Sequence, residues 1–432
     1  MGVDILALIV AQHLGPPVFN LQNRQMARSN HIKIRADANA FTNVSCNQGI
    51  VSEYYVQVEE ASDVVAALDF SRKTGLRLSI KNSGHDYLSR SSRKGSLALW
   101  MRKVSGMSHE TSFVPKDCDS TPVNVITTTA GVNTNDVYEF AETQNVTFIG
   151  GYATTIGVAG GWVQAGGHSV LSPVYGLGID RVVQYKIITT DGVLRVANEC
   201  KNSDLFWALR GGGGGTFGIV MEVTHRVEPK IQLAVASISY NRTSSNVLEW
   251  LSILVNNSLP WANQGWGGHY QAANLISVTP LLNLSEAVES MAPAIKFATK
   301  NDGNVVIEIL SSWYEFYTKY VTPNEAVVGG LHPLAPRLIP ASIFNSTEGR
   351  AKMMGFLERL ISLGYSPYIP NTTPWLYRDW KEAWWGLQNY ERLVEIKKKY
   401  DPDNLLSCWK CVGFDEGNAA TDFPCLDVSA GP

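Results

Sequence analysis

The chain has 432 residues, is 45% hydrophobic and 17% charged, and carries a formal net charge of -3. That length exceeds one ordinary hydrophobic core and predicts two or three packed subdomains; with no basic surplus, a nucleic-acid partner is not expected. The longest apolar run, Ile5 to Ala11, is too short to cross a bilayer, and 12 Trp, 17 Tyr and 14 Phe exclude disorder over most of the length.

Residues 1–50 lack clear periodicity and read as an arm. Their apolar start has no basic flank and is interrupted by Asp4, so it makes a poor signal peptide, and a longer N-terminus is expected. From Tyr54 the pattern sharpens. Tyr54 to Val58 reads as a strand, Ser62 as the cap of a helix closed by Gly75, and Leu76, Leu78 and Ile80 as a second strand. A loop over Lys81 to Arg93 leads to a strand at Leu97 to Trp100. A second unit runs from the strand Val123 to Thr128 through a helix near Asp136 to Ala141 to Val146 to Phe148. Sixteen of the 37 glycines then fall between Gly150 and Gly218, a stretch closed by strands at Val182 to Thr189 and Ile219 to Val227. After Pro229 glycine thins, Trp becomes common, and runs such as Leu233 to Tyr240 and Asn304 to Leu310 predict a second, α+β domain. One helix is expected over Trp380 to Tyr400, with lysines in its final turns to suit the negative helix end and Asp401-Pro402 to stop it.

Six cysteines are sparse, and Cys408-Trp-Lys-Cys411 forms a single C-x-x-C pair with no further ligands nearby, which favours a disulfide or a buried thiol over zinc. Glycosylation acceptors stand at Asn43, Asn145, Asn241, Asn256, Asn283, Asn345 and Asn371. Chance would supply about three. The excess predicts a secreted or secretory-pathway protein.

Three glycine-bearing loops carry the functional signal. Gly213-Gly-Gly-Thr-Phe-Gly218 matches G-x-G-x-x-G, but a helix-like segment precedes it and a strand follows, the reverse of a nicotinamide-binding Rossmann turn. Such a run still lets backbone N–H groups approach a phosphate closely. Gly150-Gly151 to Gly160-Gly161, extended by Gly166-Gly167, is the second loop. The third is Asn82-Ser83-Gly84-His85-Asp86, where His85 suits a base, a metal ligand or a nucleophile towards a cofactor. An extended dinucleotide or flavin nucleotide is long enough to touch all three.

The ordered set of Asn82-Ser-Gly-His85-Asp, Thr155-Ile-Gly157-x-x-Gly160-Gly161, Gly166-Gly-His-Ser169, Tyr175-Gly176-Leu, Gly214-Gly-Thr-Phe-Gly218, Asn389-Tyr390-x-Arg392 and Lys398-Lys-Tyr-Asp401-Pro402 resembles the vanillyl-alcohol-oxidase and berberine-bridge-enzyme-like FAD-linked oxidoreductases, nearest to a fungal isoamyl-alcohol-oxidase-like group. The resemblance implies an α+β fold: a two-subdomain PCMH-type FAD-binding domain over 51–229, a smaller, shortened α+β substrate domain over 230–378, and a segment, 379–432, returning to the FAD domain, with 1–50 an incomplete arm. It implies FAD bonded covalently to His85, with Asn82, Ser83, Gly84, Asp86, Ser91, Gly151, Gly157, Gly160, Gly161, Gly166, Gly167, Gly218, Ile219 and Asn389 around it. It further implies oxidation of a small alcohol, amine or similar carbon centre in specialised metabolism, with O₂ as final acceptor. Tyr270, Tyr314 and Tyr390 are the candidate catalytic side chains.

Three departures stand out. Relatives often carry a second, cysteinyl flavin link where this chain has Ala153, Ser89 replaces a usual glycine, and the stretch between Pro229 and Tyr390 is short. A dehydrogenase that does not use O₂ and a non-catalytic flavin binder remain alternative expectations. No membrane or nucleic-acid partner is expected, and the sequence leaves the oligomeric state open.

Overall fold

The computed structural model describes residues 5–10, 51–86, 90–325, 335–363, 367–369 and 380–418. A three-stranded parallel sheet comes first, with Leu97–Trp100 between Tyr54–Gln57 and Leu78–Lys81. The helix Ala61–Thr74 connects its two outer strands. Its cap is Glu60 rather than Ser62, because the Asp63 carboxylate accepts from the N–H groups of Glu59 and Glu60 at 2.9 and 3.1 Å. Gly75, at φ 71°, ends it in the left-handed conformation.

A five-stranded antiparallel sheet follows, ordered Met107–Phe113, Val123–Thr129, Ile219–Arg226, Val182–Ile188 and Leu194–Ala197. The strands of the second unit, Val123–Thr129 and Val146–Thr147, therefore do not share one sheet. The former joins this antiparallel sheet, while Val146–Thr147 pairs with Glu228–Pro229 in a separate ribbon. Asn133 caps the intervening helix, Thr134–Thr143, by accepting from Asp136 N at 2.8 Å. A disulfide, Cys118–Cys200, ties the loop after the first strand to the loop after the last.

The third sheet has seven strands, ordered Asn304–Leu310, Leu233–Ser239, Asn274–Thr279, Gly267–Gln271, Pro367–Ile369, Ile5–Val10 and Ala335–Pro340. The arm thus contributes a strand, Ile5–Val10, paired antiparallel on both sides. The helices Val247–Asn263, Leu284–Lys300 and Thr347–Ser362 cover this sheet around Trp250, Trp261, Phe297 and Leu357. A second core joins the two large sheets, with Tyr138, Phe148 and Val158 from one side and Leu233, Val278, Trp313 and Tyr317 from the other.

The C-terminal segment is two helices, not one. Trp380–Trp385 and Leu387–Tyr400 are separated at Gly386, whose φ of 72° breaks the ladder. Leu393, Ile396 and Tyr400 pack back on Tyr185, Leu205 and Phe217 of the first half. Cys408 and Cys411 are disulfide-bonded to each other; Cys46 and Cys425 lie outside the described residues.

Candidate functional site

The loop Asn82 to Asp86 leaves the C-terminal end of the parallel strand Leu78–Lys81, the edge at which open α/β sheets place their ligands. Asn82 donates through Nδ2 to Ala130 O. Gly157 makes room for it, since a Cβ there would lie 2.3 Å from Asn82 Nδ2. His85 Nε2 lies 2.6 Å from Thr155 Oγ1, which joins the first loop to the second. Burial lowers the His85 pKa, opposed by the Glu325 carboxylate, which favours the neutral imidazole. Glu325 accepts from Thr154 N at 2.8 Å and Thr154 Oγ1 at 2.6 Å. Asp86 pairs with Arg90 at 2.7 Å. Ser83 is half-buried and Gly84 has a φ of 89°. Ser89 lies outside the described residues.

The second loop is fixed from below. Tyr138 donates to Gly151 O at 2.5 Å. Gly160 and Gly161 open a one-turn helix, Gly161–Gln164, and Gly214 of the third loop packs on it so closely that a Cβ would sit 2.6 Å from Gly161 Cα. Gly213 N donates to Gln164 O at 3.2 Å. Gly166 and Gly167 turn the chain beside Leu177 and Trp162, respectively. Gly218 meets the backbone of Ile188, and Ile219 starts the strand that pairs with it. The third loop follows the helix Ser203–Leu209 and precedes the strand Ile219–Arg226, as expected for a run that is not a Rossmann turn.

Several buried polar atoms here have no hydrogen-bonding partner: Asn82 Oδ1, Ser91 Oγ, Gln164 Nε2 and Thr216 Oγ1. Buried polar groups in folded proteins are nearly always paired. Orphans gathered among three glycine loops fit an extended polar cofactor whose own groups would complete them. Gln164 and Thr216 escaped sequence reasoning because only their unpartnered burial marks them.

A cluster of rings lies beside the second loop. Tyr152, three residues from Thr155, packs edge-on against His269 with ring centroids 4.4 Å apart. His269 stands on the strand Gly267–Gln271, which is pressed so tightly on the first half that a Cβ at Gly267 would lie 1.8 Å from Val170 O. That contact brings His168 near His269. Burial lowers both imidazoles to about 4, and the His168 charge pushes His269 further down. His168 keeps an exposed surface.

The three candidate tyrosines make contacts of their own. Tyr270, next to His269 on the strand, points to the opposite face, stacks on Trp261 at 5.9 Å and hydrogen-bonds Ser277 Oγ at 2.8 Å. Burial raises its phenol to about 12. Tyr314 stacks on Tyr317, and burial and the Glu139 and Glu142 carboxylates raise its pKa. Tyr390 lies on Trp385 and accepts from Gly413 N at 3.3 Å. Asn389 is exposed and donates to Trp385 O at 2.8 Å.

A family model described as FAD binding domain matches residues 52–198, and one described as berberine and berberine like matches residues 352–408. The chain is 39% identical to an FAD-linked oxidoreductase of Aspergillus flavipes, covering 88% of this chain and 79% of that one. It is 48% identical to another from Phaeosphaeria nodorum, covering 78% of each. The Aspergillus alignment runs over 487 positions but uses only 88% of the 432 residues, about 380, so about 107 positions face gaps here. That is in keeping with a shortened chain. Among solved structures, a VAO-type flavoprotein of Myceliophthora thermophila superposes with a TM-score of 0.72 at 24% identity, covering 85% of this chain and 81% of that one. A glucooligosaccharide oxidase of Acremonium strictum, with a 6-S-cysteinyl, 8α-N1-histidyl FAD, superposes at 0.62 and 18% identity, covering 85% and 93%.

Proposed function

The chain belongs to the FAD-linked oxidoreductases of the vanillyl-alcohol-oxidase and berberine-bridge-like superfamily, and from that premise we propose that it is an oxidase of a small alcohol, amine or similar carbon centre in specialised metabolism. The observation that carries this reading is the set of unpartnered buried atoms at Asn82, Ser91, Gln164 and Thr216, gathered on the glycine loops that include His85. FAD held there would supply a two-electron acceptor for the substrate carbon, and the reduced flavin would pass both electrons to O₂.

In this reading, residues 51–229 hold the FAD, and residues 230–378 wall the substrate side. His85 is the single covalent tether, and Thr155 Oγ1 fixes its ring through Nε2. Ala153 offers no second link, and the four described cysteines are all in disulfides. Asn82, Ser83, Gly84, Asp86 and Ser91 line the cofactor at one side; Gly151, Gly157, Gly160, Gly161, Gly166 and Gly167 admit it along the second loop. Gly218 and Ile219 close the third loop, and Asn389 was the expected partner from the C-terminal segment.

On the substrate side, the geometry favours His168 and His269, beside Tyr152, over Tyr270, Tyr314 and Tyr390. With pKa values lowered to about 4 both imidazoles stay neutral but are weak bases, so their role in this reading is to orient the substrate's hydroxyl or amine by hydrogen bonding as its carbon is oxidised. Tyr270 and Tyr314 have raised pKa values, which disfavours either phenol as a base.

The five described glycosylation acceptors, Asn145, Asn241, Asn256, Asn283 and Asn345, are all exposed, which supports passage through a secretory pathway. No helix among the described residues is long and apolar enough to cross a membrane. The test is a screen of primary alcohols and amines with paired detection of H₂O₂ and flavin bleaching. Bleaching without H₂O₂ in air would favour a dehydrogenase; no bleaching by any of them would favour a flavin binder.

A further inference from the structure

The glycine run is gripped at both ends by one distant segment. Trp385 Nε1 donates to Gly211 O at 2.9 Å, and Lys397 Nζ donates to Thr216 O at 3.0 Å. Gly212 to Gly215 lie between these anchors. The Lys397 ammonium also donates to Asp401 Oδ2 at 2.7 Å and to Leu406 O at 2.8 Å, so its three protons are all engaged. The pair is deeply buried, with side-chain exposures of 6% and 0%. Gly413 lies against the lysine stem, where a Cβ would be 3.2 Å from Cδ and Cε. Asp401 accepts in turn from Leu405 N and Leu406 N at 2.8 and 3.0 Å.

A buried ion pair is a poor source of net stability, because desolvation offsets its attraction. Its geometry gives it another use. The Thr216 carbonyl is turned towards the helix Leu387–Tyr400, while the Thr216 hydroxyl is buried without a partner. Gly213 is fixed to Gln164, whose amide nitrogen is also without one. Five consecutive glycines have no side chains to fix their own path, so an external hold is needed to give the run one conformation.

We propose that Trp385 and Lys397 form a two-point clamp that sets Gly212 to Gly215 in the conformation that receives FAD, so that cofactor loading depends on the C-terminal segment. This rests on the reading that the glycine run contacts the cofactor. Lys397 and Trp385 are positioning residues. Lys397 acts through Thr216 and Trp385 through Gly211.

The test compares wild type with Lys397→Met/Asp401→Asn and, separately, Trp385→Phe, all expressed as the full chain. The double variant removes the charge pair together, and the Asn carbonyl still accepts from the backbone. Trp385→Phe removes only the indole donor. Flavin per chain, visible circular dichroism of the bound flavin, far-ultraviolet dichroism and melting temperature are read for each. The double variant should keep its secondary structure and show a loss of flavin per chain with altered visible dichroism. Trp385→Phe should move the same two flavin signals in the same direction. Folded variants with full flavin and unchanged visible dichroism overturn the clamp. If the double variant does not fold, Trp385→Phe decides alone. A wild type that carries no flavin rejects the cofactor reading and the clamp together; flavin-loaded variants reject only the clamp.

Discussion

The Lys397–Asp401 pair is fully matched: the ammonium has three acceptors and Asp401 two backbone donors besides the lysine, all out of water. Around Asn82, Ser91, Gln164 and Thr216 the opposite holds, with one polar atom of each left without a partner although the surroundings are just as dry. Thr216 belongs to both regions, its carbonyl satisfied and its hydroxyl not. Within the cradle the difference separates the groups that hold the glycine run from those left open to a ligand. A closed network can be replaced by apolar groups with little loss, whereas an open one costs stability until a ligand completes it.

The comparison breaks most visibly at His85. His85→Ala should abolish flavin that survives acid precipitation while leaving the fold intact, as read by protein-bound absorbance and circular dichroism. Gly157→Val should come next, because its Cβ would collide with the Asn82 amide, which is itself bonded to Ala130. Most of the flavin should be lost with secondary structure retained.

Lys397→Met alone leaves Asp401 charged, buried and without its cation, so stability should fall by about 3–5 kcal/mol in denaturant titration. The double variant with Asp401→Asn should recover much of that loss. Equal instability of the two would mean that the network resists neutral replacement.

Acid should destabilise the protein through histidines kept neutral by burial. His225, fully buried with both ring nitrogens unpartnered, is lowered to about 3, first by burial and then by Arg181. Its unfolded value is near 6.5, so between these values the unfolded chain binds the extra proton. Stability is full above about pH 6.5 and falls as the pH drops towards 3. His225→Phe should flatten that slope in melts taken across the window.

Thr216→Val is expected to have the smallest effect. Removing an unpartnered hydroxyl should raise the stability of the flavin-free chain by about 1 kcal/mol while lowering its flavin content. A change of both in the same direction would place Thr216 in the scaffold.

Much of this was legible in the sequence because backbone chemistry fixes it. Gly75 ends its helix, Leu97–Trp100 and Asn304–Leu310 form the expected strands, and the order helix, glycine run, strand excluded a Rossmann turn. Gly386 was missed inside an otherwise continuous helical pattern, where one left-handed residue splits the helix. The pairing of Val146–Thr147 with Glu228–Pro229 joins segments some 80 residues apart, and no local pattern encodes that. On the strand Gly267–Gln271, period two put Tyr270 and His269 on opposite faces, and sequence alone did not say which face was inward. His168 was read only as part of a glycine motif; its nearness to His269 depends on the close contact at Gly267.

The most direct measurement is peptide mapping by mass spectrometry of the acid-precipitated, proteolysed wild-type protein. The account predicts one flavin-bearing peptide, containing His85, with every cysteine free of flavin. Flavin wholly released by acid, or attached at any other residue, would contradict it.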